Sequence, residues 1–187
     1  MDSATFLAGL HADAIAAREV VGGYRRDLRD EAITWKPAPD VWSMAEIVQH
    51  LTTTTTEYRD GLETTLARAR QRPLNRRAPF KARPFAAWFV RMAGPTSERK
   101  VKAPKRFQPQ ASEGGPHVLD LFLEQQEEVL QWIRSAGDAD LNRPRFGSPV
   151  TPLLRFSLGE ALLLMVRHQQ RHLQQAERLR NHASFPG

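Results

Sequence analysis

Leu7, Leu10, Ala14, Ala17, Val21, Tyr24 and Leu28 recur at intervals of three and four, and three later stretches repeat that interval. The period is that of a 3.6-residue helical turn, not the two-residue alternation of a half-buried strand. Four such stripes are buried most simply by laying helix on helix. No strand of useful length and no long internal repeat interrupts the pattern. The expectation is an all-α chain, a four-helix bundle formed as a single domain over residues 1–187. At 187 residues the chain is long enough to bury a core without a covalent staple.

The punctuation between the stripes sets their limits. In TWKPAPDVW, Pro37 and Pro39 force an extended connection after the first helix. Ser43 and Glu46 then have capping-box spacing, with Trp42 and Ile47 placed as a hydrophobic staple. A second helix is predicted from about Met44 to about Arg70, with Met44, Ile47, Leu51, Tyr58, Leu62 and Leu66 inward. Seven prolines break residues 71–116, leaving room for one short helix in PFAAWFVRMAG, ended by Gly94 and Pro95. A third long helix is predicted from near Pro116 to about Ser135, with Leu119, Phe122, Val129 and Ile133 inward and Gly137 as its stop. The loop RPRFGSPVTP leads to a second capping box, Ser157 and Glu160, and to the last helix. There Leu158, Ala161, Met165, His168, His172, Ala176 and Leu179 form one stripe.

The chain has no cysteine, which excludes disulfides, thiolate metal ligands and a cysteine nucleophile. Its start, MDSATFLAGLHADAIAAREV, has neither the basic nor the apolar region of a secretory leader. No apolar run approaches the ~18 residues needed to span a bilayer. A cytoplasmic protein without membrane contact is expected. The net charge of +6 is unevenly placed. Residues 71–112 hold eleven basic side chains (Arg72, Arg76, Arg77, Lys81, Arg83, Arg91, Arg99, Lys100, Lys102, Lys105, Arg106) and one acid, Glu98, while the remainder is slightly acidic.

Two histidines, His168 and His172, stand one helical turn apart in the inward stripe of the last helix. Side chains at i and i+4 lie about 5–6 Å apart on one face, within reach of a single divalent ion. H-x-x-x-H also arises by chance, as a pair of partly exposed, hydrogen-bonded imidazoles. His50, beside the inward positions Ile47 and Leu51 of the second helix, is a possible third ligand if the two helices are antiparallel neighbours. Otherwise it is a helix-edge histidine bonded to a carbonyl.

W-S-M-A-E-I-V-Q-H-L at 42–51, taken with H-Q-Q-R-H-L-Q-Q at 168–175, resembles the DinB-like superfamily. Its members are four-helix bundles in which three histidines bind a divalent metal. The resemblance covers nearly the whole chain, including the proline-rich turn before Trp42 and the glycine–proline loop before the last helix; the basic segment 71–116 is an elaboration outside the matching motifs. It implies that the histidine closing W-S-x-x-E-x-x-x-H, His50, and the H-x-x-x-H pair, His168 and His172, are metal ligands. A homodimer is implied by the same analogy. Three histidines without a fourth protein ligand leave a position for water or substrate, the pattern of a catalytic and not a structural site. Zinc is the expected ion, with nickel, iron or manganese as alternatives. Family members include enzymes that transfer or use low-molecular-weight thiols, alongside proposed metal-dependent hydrolases. The implied chemistry is therefore a metal-bound water or a metal-held substrate thiolate. HQQRH lacks the glutamate of HExxH and Gln169 cannot replace it, which disfavours a peptidase. Glu46, one turn before His50, is explained by its cap.

The rival function is nucleic-acid binding through residues 71–112, where Phe80, Phe85, Trp88, Phe89 and Phe107 interleave with the basic side chains. The plainer alternative is a solvated connection whose aromatics pack on the bundle. A non-catalytic scaffold is a third reading. His11 is expected at a helix edge, and His117 and His182 in solvent. Trp35, Trp42, Trp88 and Trp132 are expected in core or staple positions, with Trp42 a possible wall of the metal pocket. Ser43 and Ser157 are caps and not nucleophiles.

Overall fold

The computed structural model of the chain describes residues 2–71, 79–96, 102–110, 115–151 and 153–187. Four long helices carry the apolar stripes: α1 (Ser3–Asp27), α3 (Met44–Arg70), α5 (His117–Ser135) and α6 (Leu158–Arg180). Two shorter helices, α2 (Asp30–Thr34) and α4 (Pro84–Ala93), bring the number among the described residues to six, and the class is all-α as expected. The boundaries follow local chemistry. Ser43 Oγ accepts from the Glu46 N–H at 3.1 Å, and Glu46 Oε2 accepts from the Ser43 N–H at 2.7 Å. Ser157 and Glu160 repeat that exchange at the start of α6. α1 ends one residue short of Leu28, whose N–H bonds back to the Tyr24 carbonyl as the cap.

The threonine run at 52–56 would weaken an isolated helix, because branched side chains lose rotamer freedom there. Within α3, Thr52, Thr54 and Thr55 instead turn their hydroxyls onto the carbonyls of Gln49, His50 and Leu51. The helix continues through them because its inward face is tightly packed.

Two apolar clusters divide the core along its length. One joins Phe6, Leu7 and Leu10 of α1 to Tyr58, Leu62 and Leu66 of α3, Val129 and Ile133 of α5, and Leu158, Leu162 and Met165 of α6. The other joins Val21 and Tyr24 of α1 to Met44, Ile47 and Leu51 of α3, Leu119 and Phe122 of α5, and Leu173 and Leu179 of α6. Each fully buried side chain of this size contributes about 1.5–3 kcal/mol of transfer free energy. These memberships give the directions: α1 and α6 run one way, α3 and α5 the other. α1 and α3 each lie against both α5 and α6.

Because α3 and α5 point the same way, the connection between them must return along the bundle. A helix of 27 residues spans about 40 Å. The proline-rich basic segment is therefore a crossover, and it is longer than the return alone requires. At one end Phe80 stacks on Phe6, ring centroids 4.1 Å apart, and lies over Gly159. A Cβ on Gly159 would come within 2.5 Å of the Phe80 ring. α4 then packs along α6 through Ala86 and Val90. At the other end Phe107 is buried beside α3 in a single 3-10 turn, Lys105–Phe107.

The loop before α6 contains a minimal antiparallel ladder, β1 (Arg145–Gly147) with β2 (Arg155–Ser157). Three residues per strand agree with the expectation of no strand of useful length. The ladder is held from outside itself: Phe156 is fully buried and Phe146 packs on the same apolar cluster. None of the helices is long and apolar enough, over the described residues, to cross a membrane.

Candidate metal centre

Between the two apolar clusters the bundle has a polar waist. On the side of α1 and α5, Gln126 and Gln169 exchange amide hydrogen bonds at 2.8 and 3.2 Å, and Gln126 also donates to the Ala14 carbonyl at 2.8 Å. Gln169 thus faces away from the histidines, in agreement with the sequence reading that it is no catalytic base. On the other side, His50 of α3 meets His168 and His172 of α6. The antiparallel direction of these two helices brings the seventh residue of one to the level of the middle of the other.

His50 is buried, while His168 and His172 are partly buried. Their ring centroids lie 4.5 to 5.0 Å apart, and one ligand nitrogen from each falls within 4.8 Å of the others. The Nε2 atoms of His50 and His168 are 3.4 Å apart. Two nitrogens at 2.0–2.1 Å from one tetrahedral ion would be separated by about 3.3–3.4 Å, so this pair already has the spacing of shared ligands.

Hydrogen bonds behind the rings set the direction of the lone pairs. The His50 Nδ1 lies 2.6 Å from the Phe107 carbonyl oxygen. A carbonyl only accepts, so Nδ1 carries the proton and Nε2 presents a lone pair to the cluster. His172 Nδ1 lies 3.1 Å from Gln175 Oε1, an acceptor that selects the same tautomer. Partners of this kind fix ring orientation and raise ligand basicity in metal sites. The donor set therefore fits a divalent cation: three imidazoles, two of them held in the ligating tautomer, with no carboxylate in the group among the described residues.

Electrostatics keep the three rings neutral. Burial lowers the pKa of His50 despite the Phe107 bond. Burial, then the neighbouring His172 and His50, holds His168 well below the ordinary imidazole range. His172 is lowered to about 3, by burial first and by His50 second. Arg171 adds positive charge beside the pair while donating to the carbonyls of Met92 and Gly94 at the end of α4. Neutral imidazole is the ligating form.

Trp42 closes one side, its ring 5.2 Å from His50 and stacked at 6.3 Å on His172. Glu46 points elsewhere, held by its cap and by Lys36 at 2.9 Å. His11 is partly buried on α1 and outside the cluster, and His117 and His182 are exposed, as the sequence suggested. Trp132 is buried, but Trp88 is a correction. It is 45% exposed and stacks on Phe85, itself 60% exposed. The stripe of α4 spends its inward positions on Ala86 and Val90 and leaves these two rings outside.

Of the aromatics in the basic segment, Phe80, Phe89 and Phe107 do pack on the bundle. Among its basic residues Arg83 pairs with Glu160 and Arg106 with Glu57. Arg72, Arg76, Arg77, Arg99 and Lys100, with Glu98, lie outside the described residues. Two contributors to the centre escaped the sequence. Gln175 carried a faint signal, three residues beyond His172. The Phe107 carbonyl carried none, since every residue has one.

The sequence profile of the DinB superfamily matches residues 15–176, and the chain belongs to that superfamily. No curated protein and no solved structure matches it.

Proposed function

We propose, with membership of the DinB superfamily as the premise, that His50, His168 and His172 hold a divalent metal ion and that the centre is catalytic. The observation that carries this reading is the convergence of the three ligand nitrogens with Nδ1–H groups tied behind two of them. Zinc suits three imidazoles best, and nickel, iron and manganese remain compatible. Bound there, the cation supplies Lewis acidity that makes a coordinated thiol or water more acidic.

The protein's own part is to position and to exclude. His50 and His172 hold their rings in one tautomer, Trp42 restricts approach from one side, and burial disfavours a second proton on each ring. Among the described residues no carboxylate joins the three histidines as a general base, and Glu46 is committed to its cap. A thiol is far more acidic than water to begin with, so on the cation it could lose its proton to solvent with less help from such a base. We therefore place transfer involving a low-molecular-weight thiol ahead of hydrolysis as the reaction of this centre.

The test is metal content by mass spectrometry on untagged protein, comparing wild type with His50→Ala, His168→Ala and His172→Ala, each checked for folding by circular dichroism. About one ion per chain in the wild type and loss in each folded variant is the expected result. A wild type that takes up none of Zn²⁺, Ni²⁺ or Mn²⁺ would end the reading. With metal established, wild type and variants are assayed with thiol-transfer and hydrolytic substrates. Turnover of hydrolytic substrates alone would reverse the preference for thiols.

A further inference from the structure

The solvent face of the β1–β2 ladder carries an arginine cluster with no part in the metal centre. Arg145 pairs with Ser157 and Gly147 with Arg155, so Arg145 and Arg155 stand on one face as diagonal neighbours. Phe146 and Phe156, paired between them, take the opposite face and pack on the core. Arg83, just before α4, and Arg143 complete a pocket of about 410 Å³, lined by Arg83, Arg143, Pro144, Arg145 and Arg155. Main-chain carbonyls hold the cluster together: Arg155 donates to the Arg145 carbonyl at 3.1 Å, and Arg83 donates to that of Arg155.

Among the described residues Glu160 is the one acid that forms an ion pair with this cluster. Glu160 is occupied by Arg83, whose Nε and Nη2 donate to its two oxygens at 3.0 and 2.8 Å. Asp140 accepts from the main-chain N–H groups of Asn142 and Arg143. Among the described residues Arg143, Arg145 and Arg155 form no ion pair. Arg145 Nε is also shut off from solvent with no hydrogen-bond partner among the described residues. A buried donor without an acceptor is costly, and three uncompensated guanidinium groups in one pocket repel each other.

We propose that this pocket binds the terminal phosphate of a small phosphorylated molecule. A dianion with three free oxygens offsets the repulsion and matches the planar forks of Arg143 and Arg155. Extended nucleic acid fits less well. Single strands bind on aromatic platforms along a basic groove, and both phenylalanines of this ladder face the core. The site is separate from the histidines: Ser157 and His168 are roughly 16 Å apart along α6.

The test is calorimetric titration of the full chain with inorganic phosphate, together with phosphate protection of individual arginines from phenylglyoxal, read by mass spectrometry. Saturable one-to-one binding that weakens with added salt is expected, with protection at Arg143, Arg145 and Arg155. Arg143→Gln and Arg155→Gln, both at exposed positions, should each weaken binding about tenfold or more while leaving the circular dichroism unchanged. Arg155→Lys keeps the charge without the fork and should recover only part of the loss. Glycerol phosphate should bind at least as well as phosphate, and affinity should be equal before and after chelator treatment and dialysis. The proposal is overturned by the absence of saturation, by binding that survives Arg143→Gln combined with Arg155→Gln, by loss of binding on metal removal, or by an oligonucleotide lacking a terminal phosphate that binds more tightly than phosphate.

Discussion

The Nδ1–H of His50 donates to the main-chain carbonyl of Phe107 across 2.6 Å, although 57 residues separate them in sequence. The crossover connection thus reaches back to orient a ring in the candidate metal centre. Phe107 is itself buried, so its side chain anchors the carbonyl that its backbone presents. Phe107→Ala should cost about 3–5 kcal/mol of stability, through lost transfer energy and an unfilled cavity. At a temperature where the variant stays folded, metal affinity should fall about 10- to 100-fold. Denaturant unfolding and competition with a metal-sensitive dye measure the two effects. Unchanged affinity in the folded variant would show that the carbonyl does not support the site.

Gln175 offers the same support to His172 from a partly exposed position, at 3.1 Å. Gln175→Ala should therefore leave stability nearly unchanged and lower metal affinity about tenfold. Gln175→Glu should do the opposite, since a carboxylate accepts more strongly and adds negative charge near the cation. Equal affinities in wild type and both variants would remove Gln175 from the centre.

Acid should weaken the metal-free protein through these histidines. In the folded chain His172 is lowered to about 3, and His50 and His168 are lowered as well. Unfolded imidazoles titrate near 6.5. Between those limits the unfolded state binds more protons, so stability is full above about pH 6.5 and falls as pH drops toward 3. Urea unfolding of stripped protein at pH 7.5 and pH 5 should show the drop, and His172→Leu should make it shallower. An identical pH dependence in the variant would mean that His172 is not held neutral by the fold.

Gly159 tests the docking of the crossover. An added Cβ would meet the Phe80 ring at 2.5 Å and the Leu141 side chain at 3.2 Å. Gly159→Ala gains up to about 1 kcal/mol of helix propensity but forces Phe80 off Phe6, and a net loss of about 1–3 kcal/mol is expected. Phe80→Leu in the same chain should recover part of it. Metal content should not change, because the contact lies in the apolar cluster far from the waist. A Gly159→Ala protein more stable than wild type would refute this account of the packing.

Much of the architecture was legible because helical signals are local. The two S-x-x-E boxes placed the starts of α3 and α6 at Ser43 and Ser157, where both boxes form. Pro84 and Gly94 bounded α4 in the same way. Local rules were weaker at Trp88, whose position in an apolar run suggested core although α4 buries only one narrow side. They were silent about the β1–β2 ladder, which depends on two phenylalanines finding the core together.

The three histidines divide along the same line. Sequence alone determined that His168 and His172 share a face, since the spacing of four fixes that within one helix. Membership of a metal-binding bundle family could be read from the motifs around them and around His50. Only the tertiary structure decided that α3 and α6 run antiparallel, so that His50 arrives level with the pair. It alone decided that the basic segment is a crossover whose Phe107 carbonyl points His50 Nε2 into the cluster. The first kind of relation is set by the pitch of one helix. The second depends on which distant surfaces pack together, and burial of apolar area chooses those without regard to distance along the chain.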